Sequence, residues 1–335
     1  MELNLSYDIS LQQLTQWLRE QGWVKADAEV QSVEKPGEGN MNMVLRVVTQ
    51  NGNLILKQAN PFVQKYPTIA APTERVAVEA AFYQFVSAKR RIKAFLPDFI
   101  GFDPKNNILA VQDLGKNSDY TKIYQKGQTL TMEEAKKTTL FLDRLHGTNF
   151  PQQSVQAYPS NMALRKLNHA HLFVYPFLED NGFDLDTVQP GLQEVSLTYK
   201  TDEKLKKSLA GLGNLYLEPG KTLLHGDYYP GSWLSTKHGF QVIDPEFSCF
   251  GAAEYDMGVL MAHFKMAQLP ADLVDIAMDE YKKPRFFNPS LMSQFASVEI
   301  LRRIIGLAQL PLDLTLQERS GLLKEAVQVI RTGGY

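Results

Sequence analysis

Thiols are nearly missing from this chain, which has a single cysteine, Cys249, in 335 residues. One thiol cannot form an intrachain disulfide, and a cysteine-rich metal site is excluded. Charge of one sign is lacking too: 35 basic residues face 37 acidic ones, for a formal net charge of −2. That balance supplies no broad positive field to attract nucleic acid or an anionic membrane, so neither partner is expected. No uncharged apolar run is long enough to span a bilayer. The opening Met1-Glu2-Leu3-Asn4-Leu5-Ser6-Tyr7-Asp8 lacks the basic and apolar segments of a signal peptide, which predicts a protein of the reducing cytoplasm. Absent motifs narrow the chemistry further. Gly-x-Ser-x-Gly and His-Glu-x-x-His do not occur, which removes hydrolase and zinc-peptidase readings. Gly220-Lys221-Thr222 looks like the end of a Walker motif, but Leu215 stands where its first glycine must fall.

At 335 residues the chain exceeds the usual single-core size, and 44% hydrophobic composition can fill two cores, so two lobes are expected. Ser10 can cap a helix that places Leu11, Leu14, Trp17 and Leu18 on one face and ends at Gly22. From Val30 to about Gln58, alternation and β-branched residues predict antiparallel strands, with turns at Gly37 to Asn40 and Gln50 to Asn53. A helix from about Thr73 to Lys89 follows, then a strand from Asn107 to Leu114. The boundary is placed at a hinge over 115–118, between an N-terminal lobe (1–114) and a C-terminal lobe (119–335). The second lobe reads as mostly helical. Thr131 caps its first helix, and others run near Tyr255 to Met266, Ala271 to Tyr281, Leu291 to Leu310 and Thr315 to Arg331. Phe150 to Leu178 mixes Pro, Asn and aromatic residues and yields no assignment.

Two short strands interrupt those helices, and each delivers an acidic residue to a loop. One runs into Leu223-Leu224-His225-Gly226-Asp227-Tyr228-Tyr229-Pro230-Gly231-Ser232, the other into Val242-Ile243-Asp244-Pro245-Glu246-Phe247. Phosphoryl transfer needs one carboxylate to orient or deprotonate an attacking hydroxyl and another to hold the Mg²⁺ that neutralises nucleotide phosphates. Asp227 suits the first role and Asp244 the second; the bland alternative is Asp capping two turns. Other residues fall in kinase order. Gly37, Gly39 and Asn40 form a turn that lets backbone approach phosphates, or simply a tight hairpin. Lys57 ends a strand and Glu79 sits on the next helix, the spacing at which kinases pair a phosphate-binding lysine with a glutamate. Tyr228 and Tyr229 can line the acceptor pocket or pack beneath the loop. His225 suits backbone hydrogen bonding, and His169 and His171 have no further metal ligand nearby.

These stretches resemble the aminoglycoside phosphotransferase and choline kinase superfamily, and within it the methylthioribose kinases. Gly37 to Val47, Leu56 to Ala59, His225 to Ser232, Asp244 to Phe247 with Tyr255 to Gly258, and the twin-arginine helix Ile300 to Ala308 carry the likeness. It implies an α+β, bilobal protein-kinase-like fold with an N-terminal antiparallel sheet lobe and a larger, mostly helical C-terminal lobe. Asp227 would be the catalytic base, Lys57 and Glu79 the phosphate-binding pair, and Asp244, Glu246 and Ser232 the metal ligands. Gln112 and Leu114 would match the backbone that receives adenine, and Arg302 and Arg303 would grip the sugar. The implied reaction is ATP- and Mg²⁺-dependent phosphorylation of a small polar metabolite, 5-methylthioribose, with an aminoglycoside, choline, ethanolamine or homoserine as alternatives. A homodimer is compatible with this reading, and a catalytically silent nucleotide-binding protein is the alternative of another class. The family's tryptophan-bearing substrate loop is missing, since no Trp follows Trp233. Tyr228-Tyr229-Pro230 also replaces the usual Leu-His-Thr. On the residues alone, one of the two arginines could be solvated and the other paired with a buried carboxylate such as Asp256.

Overall fold

Alternation between Val30 and Gln112 closes a five-stranded sheet. Its order is Val30–Glu34, Met43–Thr49, Leu54–Gln58, Ile108–Gln112 and Phe99–Asp103, with every neighbouring pair antiparallel. Leu45, Leu56 and Ala110 stand in register across three strands and are fully buried. Against them pack Leu14, Trp17 and Leu18 of the helix Leu11–Glu20, whose first turn Ser10 caps. Each such side chain contributes roughly 1.5–3 kcal/mol by leaving water. Because strand side chains alternate, Lys57 beside Leu56 takes the opposite face. The computed structural model describes residues 2–37 and 41–333. Gly39 and Asn40 of the expected phosphate-binding turn lie outside the described residues, and Gly37 is exposed at its edge.

The chain divides into two compact units, one comprising Met1–Ser118 with Leu234–Ser248, the other Asp119–Trp233 with Cys249–Tyr335. This corrects the assignment of all of 119–335 to the second lobe. Specific contacts bring the later segment into the first unit: Val242 N–H donates to the Phe95 carbonyl at 2.7 Å, Gln241 Nε2 donates to the Ala94 carbonyl at 3.1 Å, and the Phe95 and Phe240 rings meet edge-on. Nothing in the local pattern reports pairing at such sequence separation.

The second unit is mainly helical. The helix Pro289–Ile305 packs against both Ala253–Met266 and Leu316–Thr332. Capping boxes at Thr131 and Thr315 start the helices Met132–His146 and Leu316–Thr332. The unassigned stretch contains Gln152–Ala157, Met162–His169, a π-helical segment Ala170–Val174 and a 3-10 turn Tyr175–Phe177. A π segment breaks the 3.6-residue period on which a sequence assignment depends. The expected helix to Leu310 stops at Ile305. Gly306 turns extended there and lies so close to its neighbours that a Cβ would come 2.5 Å from the Arg302 carbonyl and 3.1 Å from Pro176 Cγ. The strands Thr222–Leu224 and Cys249–Gly251 pair antiparallel, fixing the entry to the His225 loop. Among the described residues, no helix is long and apolar enough to cross a membrane.

Candidate active site

In the first unit, Lys57 is the centre of a charge cluster. Its Nζ donates to Glu79 Oε1 at 2.7 Å and to Asp244 Oδ1. Burial pulls the lysine pKa down, but the carboxylates of Asp244 and Glu79 outweigh it and hold the amine well above its ordinary value. Lys57 is therefore an ammonium, with a fully buried Glu79 on one side and a half-exposed Asp244 on the other. Asp244 adopts left-handed backbone (φ 65°), which turns the chain sharply into Pro245-Glu246-Phe247. Glu246 is buried; its Oε2 accepts from Asn42 Nδ2 at 2.8 Å and lies 3.7 Å from Arg75 Nε. Burial and the nearby Glu79 charge push the Glu246 carboxyl up to about 8, against the pull of Arg75. Of the expected adenine-binding residues, Gln112 donates its N–H to the Asp98 carbonyl at 2.8 Å, and the Leu114 carbonyl accepts from Asn117 Nδ2 at 2.7 Å. Between them, Asp113 takes a two-point grip from Arg46 at 2.9 and 3.1 Å.

In the second unit, Asp256 anchors the loop that carries Asp227. Its carboxylate accepts the backbone N–H groups of His225 (2.7 Å) and Gly226 (3.0 Å), and His146 Nε2 approaches it at 3.2 Å. Ser232 Oγ, the expected metal ligand, donates to the Asp227 carbonyl at 3.0 Å and so braces the loop backbone. The expectation for Tyr228 is corrected. It is fully buried, stacks on Phe141 and donates its hydroxyl to the Thr138 carbonyl at 2.8 Å, so it packs beneath the loop and does not line an acceptor pocket. Tyr229 lies with its ring 4.8 Å from the Arg303 guanidinium.

Both arginines are buried, and both point to Asp227. Arg302 Nη2 lies 3.4 Å and Arg303 Nη2 3.6 Å from its Oδ1. Neither is solvated, and their counter-ion is Glu299 rather than Asp256. Arg302 Nε donates to Glu299 Oε2 at 2.5 Å and Arg303 Nε donates to Oε1 at 2.7 Å. Burial pushes the Glu299 carboxyl up, but the two guanidiniums and His263 hold it well below its ordinary value. His263 is the reverse case. Burial lowers its pKa to about 4 despite the hydrogen bond to Glu299, so the ring is neutral. A carboxylate only accepts, so Nε2–H donates to Glu299 at 3.0 Å and Nδ1 accepts from the Tyr124 hydroxyl at 2.7 Å. The sequence reading missed Glu299, His263 and Tyr124. Glu299 was within reach of it, because three and four residues before Arg302 and Arg303 is the spacing of facing side chains on a helix. His169 and His171 gather no further ligands, and no group of three or more metal-ligating side chains converges among the described residues.

A profile of the family described as "Phosphotransferase enzyme family" matches residues 32–287. Methylthioribose kinase 2 of Oryza sativa subsp. japonica is 25% identical over 256 residues, covering 72% of this chain and 58% of that protein, so the chain spans less than two thirds of that relative's length. Methylthioribose kinase of Exiguobacterium sibiricum is 26% identical over 306 residues, covering 87% of this chain and 76% of that one. Among solved structures, spectinomycin phosphotransferase in complex with ADP and spectinomycin gives a TM-score of 0.54 at 14% identity, over 97% of this chain and 99% of that one. Choline kinase of Streptococcus pneumoniae gives 0.51 at 13% identity, over 96% and 98%. At such identities the likeness concerns the fold, which is α+β and protein-kinase-like.

Proposed function

The chain belongs to the phosphotransferase enzyme family, and from that premise we propose that it is an ATP-dependent kinase that phosphorylates a hydroxyl of 5-methylthioribose. The observation that carries this reading is the pair of buried guanidiniums on Asp227. They place strong hydrogen-bond donors where a polyhydroxy acceptor would lie, and their charge disfavours a cationic alcohol such as choline. In the proposed reaction the acceptor oxygen attacks the γ-phosphorus, the bond to the bridging oxygen of ADP breaks, and Asp227 takes the hydroxyl proton as the new ester forms. Asn42 and Arg75 hold Glu246, and Lys57, set by Glu79, meets the α- and β-phosphates. Gln112 and Leu114 present backbone to the adenine.

A hard divalent cation fits the donor set. Asp244 offers a half-exposed carboxylate, and the raised Glu246 is a group that such a cation would hold ionised. Mg²⁺ is commonly held by one or two carboxylates with phosphate oxygens and water completing its shell. When bound, it neutralises charge on the phosphates.

The deciding experiment is ADP release with Mg²⁺-ATP across a panel of methylthioribose, choline, ethanolamine, homoserine and an aminoglycoside, with the phosphorylated product identified by mass spectrometry. Turnover with methylthioribose is expected. Turnover confined to another alcohol would overturn the acceptor assignment, and no nucleotide consumption with any of them would leave the silent nucleotide-binding reading.

A further inference from the structure

We propose that Arg75 and Asn42 are positioning residues that lock the strap leaving the glycine-rich turn to the Asp244-Pro245-Glu246 loop, so that the two move as one body. The inference rests on the nucleotide reading above and adds to it a pair of residues outside the expected phosphate- and metal-binding set. Arg75 opens the helix Arg75–Val86 and is fully buried. Its guanidinium donates Nη2 to the Met41 carbonyl at 2.9 Å and Nε to Asn42 Oδ1 at 2.8 Å, which fixes the two residues that lead from the turn into the strand Met43–Thr49. Nη1 reaches the Asn60 and Pro72 carbonyls at 2.8 and 2.7 Å. Acceptors in divergent directions around one plane suit a rigid guanidinium and cannot all be met by a lysine.

Asn42 makes the link directional. Its amide oxygen accepts from Arg75 while its Nδ2 donates to Glu246 Oε2 at 2.8 Å. Only an uncharged group with both a donor and an acceptor can bridge a guanidinium and a carboxylate in this way. Four residues along the same helix, Glu79 holds Lys57, which in turn holds Asp244. Positions i and i+4 share a helix face. One face therefore grips both acidic residues of the loop, Glu246 through Arg75 and Asn42, and Asp244 through Glu79 and Lys57. A guanidinium serving only to hold the Asn60 and Pro72 carbonyls would have no use for the Asn42 bridge.

The test uses the full chain with Asn42→Ala, which removes the bridge and keeps the Arg75 contacts to backbone, alongside Arg75→Lys and the conservative Asn42→Gln. Nucleotide affinity is read from the rise in Tm with Mg²⁺-ATP and from the two KM values. Asn42→Ala is expected to raise KM for ATP about tenfold or more, the scale of losing a hydrogen bond to a charged group. KM for the acceptor should change less than about twofold, and Tm without nucleotide should fall by several degrees while the protein stays folded, since Arg75 Nε and Glu246 Oε2 lose their Asn42 partner. Asn42→Gln should recover part of the loss, and Arg75→Lys should show the same split between the two KM values. If Asn42→Ala keeps wild-type KM for ATP and a wild-type nucleotide-induced rise in Tm, the inference is wrong. It is equally wrong if both KM values and Tm fall out of range together, the mark of a merely structural role. A wild type that neither binds nor consumes Mg²⁺-ATP overturns the nucleotide reading and this inference with it; a wild type that does both, with an indistinguishable Asn42→Ala, overturns the inference alone.

Discussion

Replacing Glu299 by Gln keeps the shape of the side chain and removes its charge, which makes it a direct probe of the arginine pair. In the native protein two buried guanidiniums are balanced by Glu299, itself 1% exposed, and by Asp227, whose side chain is 26% exposed. The substitution leaves Asp227 as the partner of both charges. Removing one member of a buried ionic set typically costs about 3–5 kcal/mol, because the remaining charge is uncompensated rather than because the pair was worth that much. Glu299 lies in a unit of about 200 residues, for which each kcal/mol moves Tm by about 2–4 °C, so a fall of about 6–20 °C is expected in calorimetry. The guanidiniums also lose the carboxylate that aims them, so KM for methylthioribose should rise while KM for ATP holds. A second variant separates the two effects. Replacing Glu299 and Arg303 together by Leu removes one charge of each sign and leaves Arg302 with Asp227, so it should regain part of the lost stability, yet leave acceptor binding impaired. A Glu299→Gln protein that melts within about 2 °C of wild type, with both KM values unchanged, would refute the reasoning.

Asp227→Asn should lower turnover by roughly 10²–10⁴ with nucleotide-induced stabilisation intact, measured by steady-state kinetics and thermal shift; near wild-type turnover removes Asp227 from the base role. Asp244→Ala should lose most of the Tm gain given by Mg²⁺-ATP, because in the proposed reading this carboxylate would hold the cation that neutralises the phosphates, and an undiminished gain rules out Asp244 as a ligand. Neutral His263 makes stability depend on pH. Its folded pKa of about 4 lies below the ordinary 6.5, so stability is complete above 6.5 and is lost as pH falls towards 4, by at most about 3 kcal/mol, while the unfolded chain takes the proton that the folded chain refuses. Urea unfolding of His263→Gln, which preserves a donor towards Glu299 and an acceptor towards Tyr124, should show a shallower decline between pH 6.5 and 4.5; an unchanged slope removes His263 as its source.

The parts of the fold that were legible in the sequence are those set by local period. Alternation gave the strands within Val30 to Gln58 and the one within Asn107 to Leu114, though not the edge strand Phe99–Asp103, and the capping residues Ser10 and Thr131 marked helix starts that the structure retains. What stayed hidden depends on long-range approach. The helix expected to run to Leu310 ends at Ile305, where Gly306 turns extended with Pro176 close beside it; the glycine was a readable stop signal, the approach of Pro176 was not. The same holds for the site. Lys57, Glu79 and Asp244 could be proposed together because strand, helix and loop follow in kinase order, and the structure brings their side chains into contact. Tyr228 illustrates the opposite, since a tyrosine beside a catalytic loop reads identically whether its hydroxyl meets a ligand or the Thr138 carbonyl. Arg75 gave no signal at all, because its partners are mostly backbone carbonyls, which carry no residue identity.

The division of the first unit between Met1–Ser118 and Leu234–Ser248 has a consequence for how the protein is made. A ribosome adding about 5–20 residues per second needs roughly 6–25 s to pass from the end of the first segment to Asp244. Throughout that interval Lys57 has Glu79 but not Asp244, and Glu246 has not yet reached Asn42 and Arg75. The nascent N-terminal sheet must therefore wait with Lys57 held on one side only and Asn42 Nδ2 without its carboxylate acceptor, and both contacts are completed only when the later loop arrives. A stall or cleavage within the intervening helices would leave that unit without the loop that completes the Lys57 and Asn42 contacts, and quality-control proteases would meet it in that state.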